Sequence, residues 1–201
     1  DGITWQSETS GTDVSLQAVI FANDVLVAVG YQGTILTSTD GHTWVPRQST
    51  IATAFHGVGF GPLGFVAVGD DGGVVTSVDA ITWTRAVSNT SNTLYSVAFG
   101  AGVYVFVGAN GIVGRATDPH LWAAGFPLLS TLQGVTFAQD QFVIVGFGGT
   151  IFTSPDALTL TSRNSSTGND LRAVTFGNGR YVTVGVDGVV RSSADSISWS
   201  S

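Results

Sequence analysis

Tryptophan recurs at a nearly constant interval along this chain. The five tryptophans are Trp5, Trp44, Trp83, Trp122 and Trp199. The first three intervals are each 39 residues, Leu160 takes the next place 38 residues on, and Trp199 follows after another 39. A period of this length over nearly the whole chain indicates a repeat architecture, in which each unit packs on its neighbours.

Each repeat holds the same series of apolar runs and turns. In the second repeat, residues 55–60 are followed by a short turn, by the apolar run of residues 65–69, by Gly72, by a third run and by an aspartate turn that ends at Trp83. Runs rich in Val, Phe and Thr between Gly, Asn and Asp turns are typical of β-strands. Residues 65–69 are apolar at successive positions, which indicates a sheet covered on both faces.

The fold class predicted from this pattern is all-β, with four antiparallel strands in each repeat. Units of this kind and size match the blades of a β-propeller, so we expect one five-bladed propeller domain over residues 1–201. Its repeats end near Trp44, Trp83, Trp122, Leu160 and Trp199. The rivals are an open solenoid and a two-sheet sandwich. A solenoid needs capping repeats with a polar outer face, and the end repeats here are as apolar as the others, which favours a closed ring.

The outermost strand occurs six times, although the inner strands occur five times. Residues 1–5 copy residues 195–199, and only one copy can complete the fifth blade. The N-terminal copy continues to residue 9, whereas the chain stops two residues after Trp199, so we predict that the N-terminal strand closes the last blade. The C-terminal copy then lies outside or pairs with another molecule as a swapped strand. The alternative is a slice of a longer array, in which the C-terminal copy fills the blade.

Charge and composition exclude several function classes. The net charge is −7, no lysine is present, and charged residues make up 10% of the chain, which argues against binding to nucleic acid or to an anionic membrane surface. No run approaches the roughly 18 apolar residues of a membrane span. The absence of cysteine excludes disulfides and thiolate metal sites. We expect no cofactor.

Residues 38–44 read Ser-Thr-Asp-Gly-His-Thr-Trp. This segment resembles the Asp-box of bacterial sialidase-type (BNR) repeat propellers, and residues 77–83 and 193–199 are weaker copies. Residues 116–122 lack the serine and residues 154–160 lack the tryptophan. The resemblance implies a propeller, an extracellular or cell-surface location and proteins that meet carbohydrate. The sialidase arginine triad and tyrosine–glutamate pair do not carry over, because the chain has one glutamate and its arginines fall at scattered repeat positions.

The aspartates of these turns have a structural and a functional interpretation. They are Asp40, Asp79, Asp118, Asp156 and Asp195. A turn aspartate accepts hydrogen bonds from backbone N–H groups two residues on, and one aspartate per blade cannot converge on one substrate, so the structural role is favoured over metal binding or catalysis. The tryptophans are interpreted in the same way, as packing between blades in preference to a sugar-stacking platform. The pair Asp70 and Asp71 is expected to be solvated, with calcium binding as the alternative.

Glycoside hydrolysis needs a paired acid and base near the axis of such a propeller. The near-axis positions of the first strands carry no acidic residue, so we expect no enzyme activity. These positions are Gln17, His56, Tyr95, Gln133 and Arg172.

Within the fixed repeat, these near-axis positions and the turns between the second and third strands vary. Loops on a rigid scaffold carry specificity, and the alternative is neutral drift. Aromatic rings beside amides suit a polyol, so the predicted function is a non-catalytic binding module for glycan. A structural or protein–protein interaction propeller of a larger surface protein is the alternative, and a glycoside hydrolase is a distant one. The predicted ligand-binding residues are Gln17, Tyr31, Gln32, His56, Asp70, Asp71, Tyr95, Asn110, Gln133, Phe147, Arg172 and Asp187.

Overall fold

The computed structural model describes residues 3–125 and 130–201, and within them the chain folds into five antiparallel sheets. The strands are β1 (Leu16–Ala22), β2 (Val25–Gly30), β3 (Ile35–Ser38), β4 (Val45–Arg47), β5 (Phe55–Gly61), β6 (Gly64–Gly69), β7 (Val74–Ser77), β8 (Thr84–Arg85), β9 (Leu94–Gly100), β10 (Val103–Gly108), β11 (Val113–Ala116), β12 (Ala123–Gly125), β13 (Leu132–Ala138), β14 (Gln141–Gly146), β15 (Ile151–Ser154), β16 (Thr161–Arg163), β17 (Leu171–Gly177), β18 (Arg180–Gly185) and β19 (Val190–Ser193). The predicted all-β, five-bladed propeller is confirmed.

Each blade is a meander whose strands pair in sequence order. Blades one to four hold four strands each, β1–β4, β5–β8, β9–β12 and β13–β16, and blade five holds β17–β19. The first strands β1, β5, β9, β13 and β17 lie side by side along the axis, and each packs on the next in this order. The turn between strands two and three therefore lies at one end of the propeller, and the aspartate turn lies at the other end.

The turn between strands two and three is a single 3-10 turn with a left-handed middle residue. These middle residues are Gln32, Asp71, Asn110, Gly148 and Asp187, with φ between +54° and +64°. Glycine, asparagine and aspartate tolerate this region better than most residues do, which explains much of the variation at this position.

The aspartate turns have the predicted structural role. The Oδ1 atom of Asp40 accepts hydrogen bonds from the N–H groups of Thr43 at 2.7 Å and His42 at 2.8 Å, and from the Ser38 hydroxyl at 2.9 Å. The Thr43 and His42 amides and the serine lower the pKa of Asp40 to about 2. Asp79 and Asp195 have the same pattern and the same pKa of about 2. The carboxylate thus replaces backbone partners that the tight turn cannot supply.

Tryptophan side chains lie in three of the four apolar cores between neighbouring blades, and Leu160 packs at that place in the core of blades three and four. Trp122 is buried with Phe106, at 4.6 Å between ring centroids, in the core shared by blades two and three. Its Nε1 atom donates to the Pro119 carbonyl at 2.8 Å, so the polar end of the ring is satisfied. Trp83 and Trp199 occupy the same position in other cores. The predicted inter-blade packing of these three rings is confirmed.

The fifth blade is completed from the other end of the chain than predicted. Ser192 in β19 and Ser200 exchange two backbone hydrogen bonds, of 2.7 and 3.0 Å. Trp199, in the C-terminal copy, is 7% exposed, whereas Trp5, in the N-terminal copy, is 86% exposed. The prediction that the N-terminal strand closes the last blade is therefore wrong. The C-terminal copy follows β19 through one short aspartate turn, and such a local hairpin needs no closure of the whole ring.

The closed ring is also not observed, because no core of the described residues joins blades one and five. Val19 and Phe21 on blade one are 62% and 64% exposed, and Val184 and Val190 on blade five are 44% and 50% exposed. The equivalents of these residues in the other interfaces pack inside the four cores. The five blades therefore form an arc with an opening between the fifth and the first.

No helix in residues 3–125 and 130–201 has the length and apolar character needed to cross a membrane.

Candidate functional site: the channel mouth

Five side chains of the first strands surround the axis at the end that carries the turns between strands two and three. They line one cavity of about 250 Å³ and belong to Gln17, His56, Tyr95, Gln133 and Arg172. We call these five residues the axial ring, and the ring together with the adjoining turns the channel mouth. The sequence prediction that these positions lie together is thus matched by the geometry.

Every residue of the axial ring is the extra residue of a β-bulge. In blade one, Leu16 pairs with Gly30 and Ala18 with Val29, so Gln17 is skipped by the register. The same shift skips the ring residue in each of the other blades. A bulge re-aims a side chain and frees it from the alternation of the strand, which explains why this position tolerates five different residue types.

The bulge lies beside a glycine that cannot be replaced without a clash. A Cβ atom on Gly69, at the end of β6, would lie 1.9 Å from the Ala54 carbonyl oxygen, and Gly30, Gly108, Gly146 and Gly185 have similar neighbours at 2.1 to 2.2 Å. The invariant glycine within the repeats therefore allows the chain entering each first strand to pass close to the turn, and it positions the axial ring.

The turns of blades one to four each contact the first strand of the next blade. Tyr31, in the turn of blade one, meets His56 of blade two edge to face, with ring centroids 6.2 Å apart. His56 also lies 5.6 Å from the ring of Tyr95. The His56 Nε2 atom is 2.8 Å from the Asp70 carboxylate, which also accepts a 3.2 Å hydrogen bond from the Thr93 hydroxyl. One side of the channel mouth is therefore aromatic and ends in a carboxylate.

The opposite side of the channel mouth is cationic. The Arg172 guanidinium of blade five lies 4.8 Å from the centroid of the Phe147 ring, in the turn of blade four. Its Nη2 atom is 3.5 Å from Asp170, whose other carboxylate oxygen accepts a hydrogen bond from the Gly148 amide at 2.9 Å. The stacked and half-exposed guanidinium keeps N–H groups that can bind a carboxylate or carbonyl oxygen.

The seven predicted residues in the turns lie at the rim and do not line the cavity. Tyr31, Asp70 and Phe147 contact the axial ring from there. Gln32, Asp71, Asn110 and Asp187 are the left-handed middle residues of their turns. The Asn110 amide donates to Asn92, in the connection between blades two and three, at 3.1 Å.

Sequence reasoning placed the connection that ends at Asn92 on this surface but missed Thr93 and Asp170 as parts of it. The available signal was their position directly before a first strand, where a connection must reach the turn of the preceding blade.

Histidine and carboxylate groups do not form a metal site in the part of the chain that the structure describes, since no three of them lie together there. The charged groups of the channel mouth occur as separate pairs, His56 with Asp70 and Arg172 with Asp170. Both signs of charge are therefore present around one small cavity.

The fold is shared with several solved propellers. The chain is similar to YCF48 bound to D1 peptide, with a TM-score of 0.73 and 19% identity over 94% of this chain and 67% of that one. It is similar to the WD40 β-propeller domain of Doa1, with a TM-score of 0.69 and 14% identity over 90% and 65%. The glycoside hydrolase GH74 of Niastella koreensis has a TM-score of 0.70 and 16% identity over 94% of this chain and 30% of that one.

At these identities the likeness shows the fold alone, and the chain spans about two thirds of the length of YCF48 and of the Doa1 domain. No protein-family model matches the sequence, and no curated protein matches it.

Proposed function

We propose that this protein is a non-catalytic binding module that holds an extended segment of a protein partner across the channel mouth. The observation that carries the proposal is the convergence of amides, aromatic rings and a stacked guanidinium on one cavity, with the Asp70 carboxylate bonded to His56 at its edge. A peptide offers matching groups for all of these, because it has backbone donors and acceptors, apolar side chains and charges of both signs.

The aromatic geometry favours a peptide over a sugar as the ligand. Tyr31 and His56 stand at 88° to one another, and His56 and Tyr95 at 49°, so the three rings do not share one flat face. Rings at such angles form separate walls that suit individual side chains. The YCF48 structure with a bound peptide supports this choice as an analogy of fold, which does not by itself carry function.

Glycan binding is the second candidate, because the Tyr31 ring is exposed, and Gln32 in the same turn and Gln17 in the axial ring supply amides at the channel mouth. An exposed ring with adjacent amides can stack on the C–H face of a sugar and bind its hydroxyl groups. The resemblance of residues 38–44 to the Asp-box also implies proteins that meet carbohydrate and an extracellular location, and both belong to this second candidate.

The test is selection of binders from a random peptide display library on the purified protein, followed by affinity measurement with variants. We expect Arg172→Ala to weaken binding of the selected peptides about tenfold or more, as loss of a charge-assisted contact does. Arg172→Lys should restore little, because it keeps the charge but not the planar stacking. The matched control is Arg180→Ala, since Arg180 bonds to Ser192 away from the channel mouth.

Three outcomes contradict the proposal. Equal affinity of the selected peptides for wild type and for both Arg172→Ala and Tyr95→Ala moves the site elsewhere. Glycan-array binding that is lost in Tyr31→Ala, with no peptides selected, establishes the second candidate instead. Glycoside turnover that disappears when Asp70 is replaced by asparagine overturns the non-catalytic reading.

A further inference from the structure

We propose that the opening between the fifth and first blades is a docking surface for two further four-stranded blades of the same repeat pattern. The proposal is independent of the ligand at the channel mouth. It depends on alignment of the repeats. For each exposed residue beside the opening, the residues at the same repeat position in other blades show which contacts that position makes.

The exposed residues of blade one occupy the repeat positions that, in the other blades, pack on the preceding blade. Phe21 and Val19 are exposed, but their equivalents Phe60 and Val58 pack in the core between blades one and two. In that core they meet Val29 and Ile35 from the second and third strands of the preceding blade. The occupant of this side should therefore present aliphatic residues from its second and third strands.

The exposed residues of blade five occupy the repeat positions that, in the other blades, pack on the following blade. Val184 and Val190 are the repeat equivalents of Val29 and Ile35, which lie buried against Phe55, Phe65 and Trp83 of the following blade. The occupant of this side should therefore present aromatic residues and a tryptophan. Blade one should therefore bind the aliphatic face of a blade, and blade five should bind the aromatic face of a blade.

A glycine in the last turn supports the same conclusion from the backbone. Gly72 has its Cβ position 1.9 Å from the carbonyl oxygen of Thr90, in the connection that enters the next blade, and Gly149 is 2.0 Å from that of Thr167. The equivalent Gly188 has nothing within 4 Å. A close neighbour is thus missing at blade five at the place where a connection to a sixth blade would run.

The tryptophan of the N-terminal copy differs from the buried tryptophans at the same repeat position. Trp83, Trp122 and Trp199 each pack on an aromatic residue of the second strand in the same blade, as Trp199 does on Tyr181 with 6.4 Å between ring centroids. Trp5 is exposed and has no such ring beside it among the described residues. Three strands of a docked blade would supply that ring and accept the Trp5 segment as their fourth strand.

The size of the opening follows from the solved propellers. Since 94% of this chain spans 67% of YCF48, and 90% spans 65% of the Doa1 domain, those chains have length for about seven blades of this size. Five blades with the same arrangement leave room for about two. A second copy of this chain brings five blades, three more than this space holds, so a two-blade segment is the better occupant.

The experiment uses single engineered thiols, because the chain has no cysteine of its own. Val184→Cys and Val19→Cys are made in the 201-residue chain and in a chain continued after Trp199 by a copy of residues 45–116. That continuation keeps the 39-residue register, extends the outermost strand of blade five, and adds a sixth blade and three strands of a seventh. The Trp5 segment is left as the fourth strand of the seventh blade. We expect maleimide to alkylate both thiols quickly in the first chain and about tenfold or more slowly in the second, since protection follows burial.

Two control thiols report on the rest of the molecule. Val78→Cys is exposed on an aspartate turn and should stay reactive in both chains, whereas Val145→Cys lies in the core of blades four and five and should stay protected in both. If the longer chain does not fold, a chain continued by a copy of residues 45–83 is used in its place. It should protect Val184→Cys and leave Val19→Cys reactive.

Three results overturn the proposal. Slow alkylation of both thiols in the monomeric 201-residue chain means that the ring closes on itself. Protection that appears only at concentrations where sedimentation shows a dimer identifies a second copy as the occupant. Fast alkylation of Val184→Cys in both continued chains, with the Val145→Cys control protected, means that these surfaces do not accept a blade.

Discussion

The interface between blades two and three and the exposed sides of blades one and five are built from the same residue types at the same repeat positions. In the first case Val66, Val68 and Val74 lie buried against Tyr104, Phe106 and Trp122. In the second, Val184 and Val190 meet nothing comparable. Burial in this protein is thus decided by the presence of a neighbouring blade and not by the apolar pattern of the strand. Pairs of equivalent substitutions, one inside the arc and one at its ends, should therefore have different effects on stability.

The largest difference is expected between two tryptophans of the same register. Trp83→Ala should lower the free energy of unfolding by about 3–5 kcal/mol, because it leaves a cavity in the core of blades one and two. Trp5→Ala should change it by less than about 0.5 kcal/mol, because the ring is exposed. Denaturant unfolding followed by circular dichroism measures both. A loss above about 2 kcal/mol for Trp5→Ala would show that the N-terminal copy is packed in solution.

A smaller difference is expected between two glycines. Gly72→Ala and Gly188→Ala both place a side chain at positive φ, +65° and +71°, which costs about 1–2 kcal/mol in each case. Gly72→Ala should cost about 1–3 kcal/mol more, because its Cβ atom would collide with the Thr90 carbonyl. The same unfolding measurement compares the two variants. Equal losses would mean that a connection also runs past Gly188.

The smallest effect on stability is expected from lowering the pH, and this effect should be similar for an aspartate turn inside the arc and for one at its end. The folded-state pKa of Asp79 lies at about 2, below its ordinary value of 3.8, so its stabilising effect is present above about pH 4 and is lost as the pH falls toward 2. Asp195, in blade five, has the same pKa and should behave in the same way.

The measurement is the melting temperature between pH 5 and pH 2. Asp79→Asn and Asp195→Asn keep an acceptor oxygen but do not titrate, so each variant should have a shallower pH dependence by a similar amount. A dependence altered by one variant only would show that the aspartate turns are not independent of their neighbours.

Much of the fold could be predicted because a blade is specified locally. The apolar runs, the glycine of the turn and the Ser-x-Asp sequence each act within one repeat, so the strands, turns and hydrogen bonds of Asp40 follow from nearby residues. The number of blades that close a ring does not follow in this way. It depends on the angle between neighbouring blades, which the volumes of residues in two different repeats determine together, and the repeat pattern is the same for an arc and for a ring.

The candidate site could be predicted in part for the same reason. The axial ring follows from repeat alignment, because position in the strand places Gln133 and Arg172 near one axis. The contacts of His56 with Asp70 and of Arg172 with Phe147 could not be predicted, because they join the turn of a blade or its connection to a bulge whose direction is visible only in three dimensions.

The contact of each turn with the following blade has a consequence for how such a protein can change. A block of sequence that is duplicated or exchanged from one tryptophan to the next would separate Phe147 from Arg172 and Tyr31 from His56. A block cut within the sheets, from the second strand of one blade to the first strand of the next, would carry both partners together. Recombination at this second boundary keeps both of these contacts, while it separates His56 from Asp70 of the same blade. The sequence unit that transfers the two contacts is therefore shifted by one strand from the blade, which is the unit of folding.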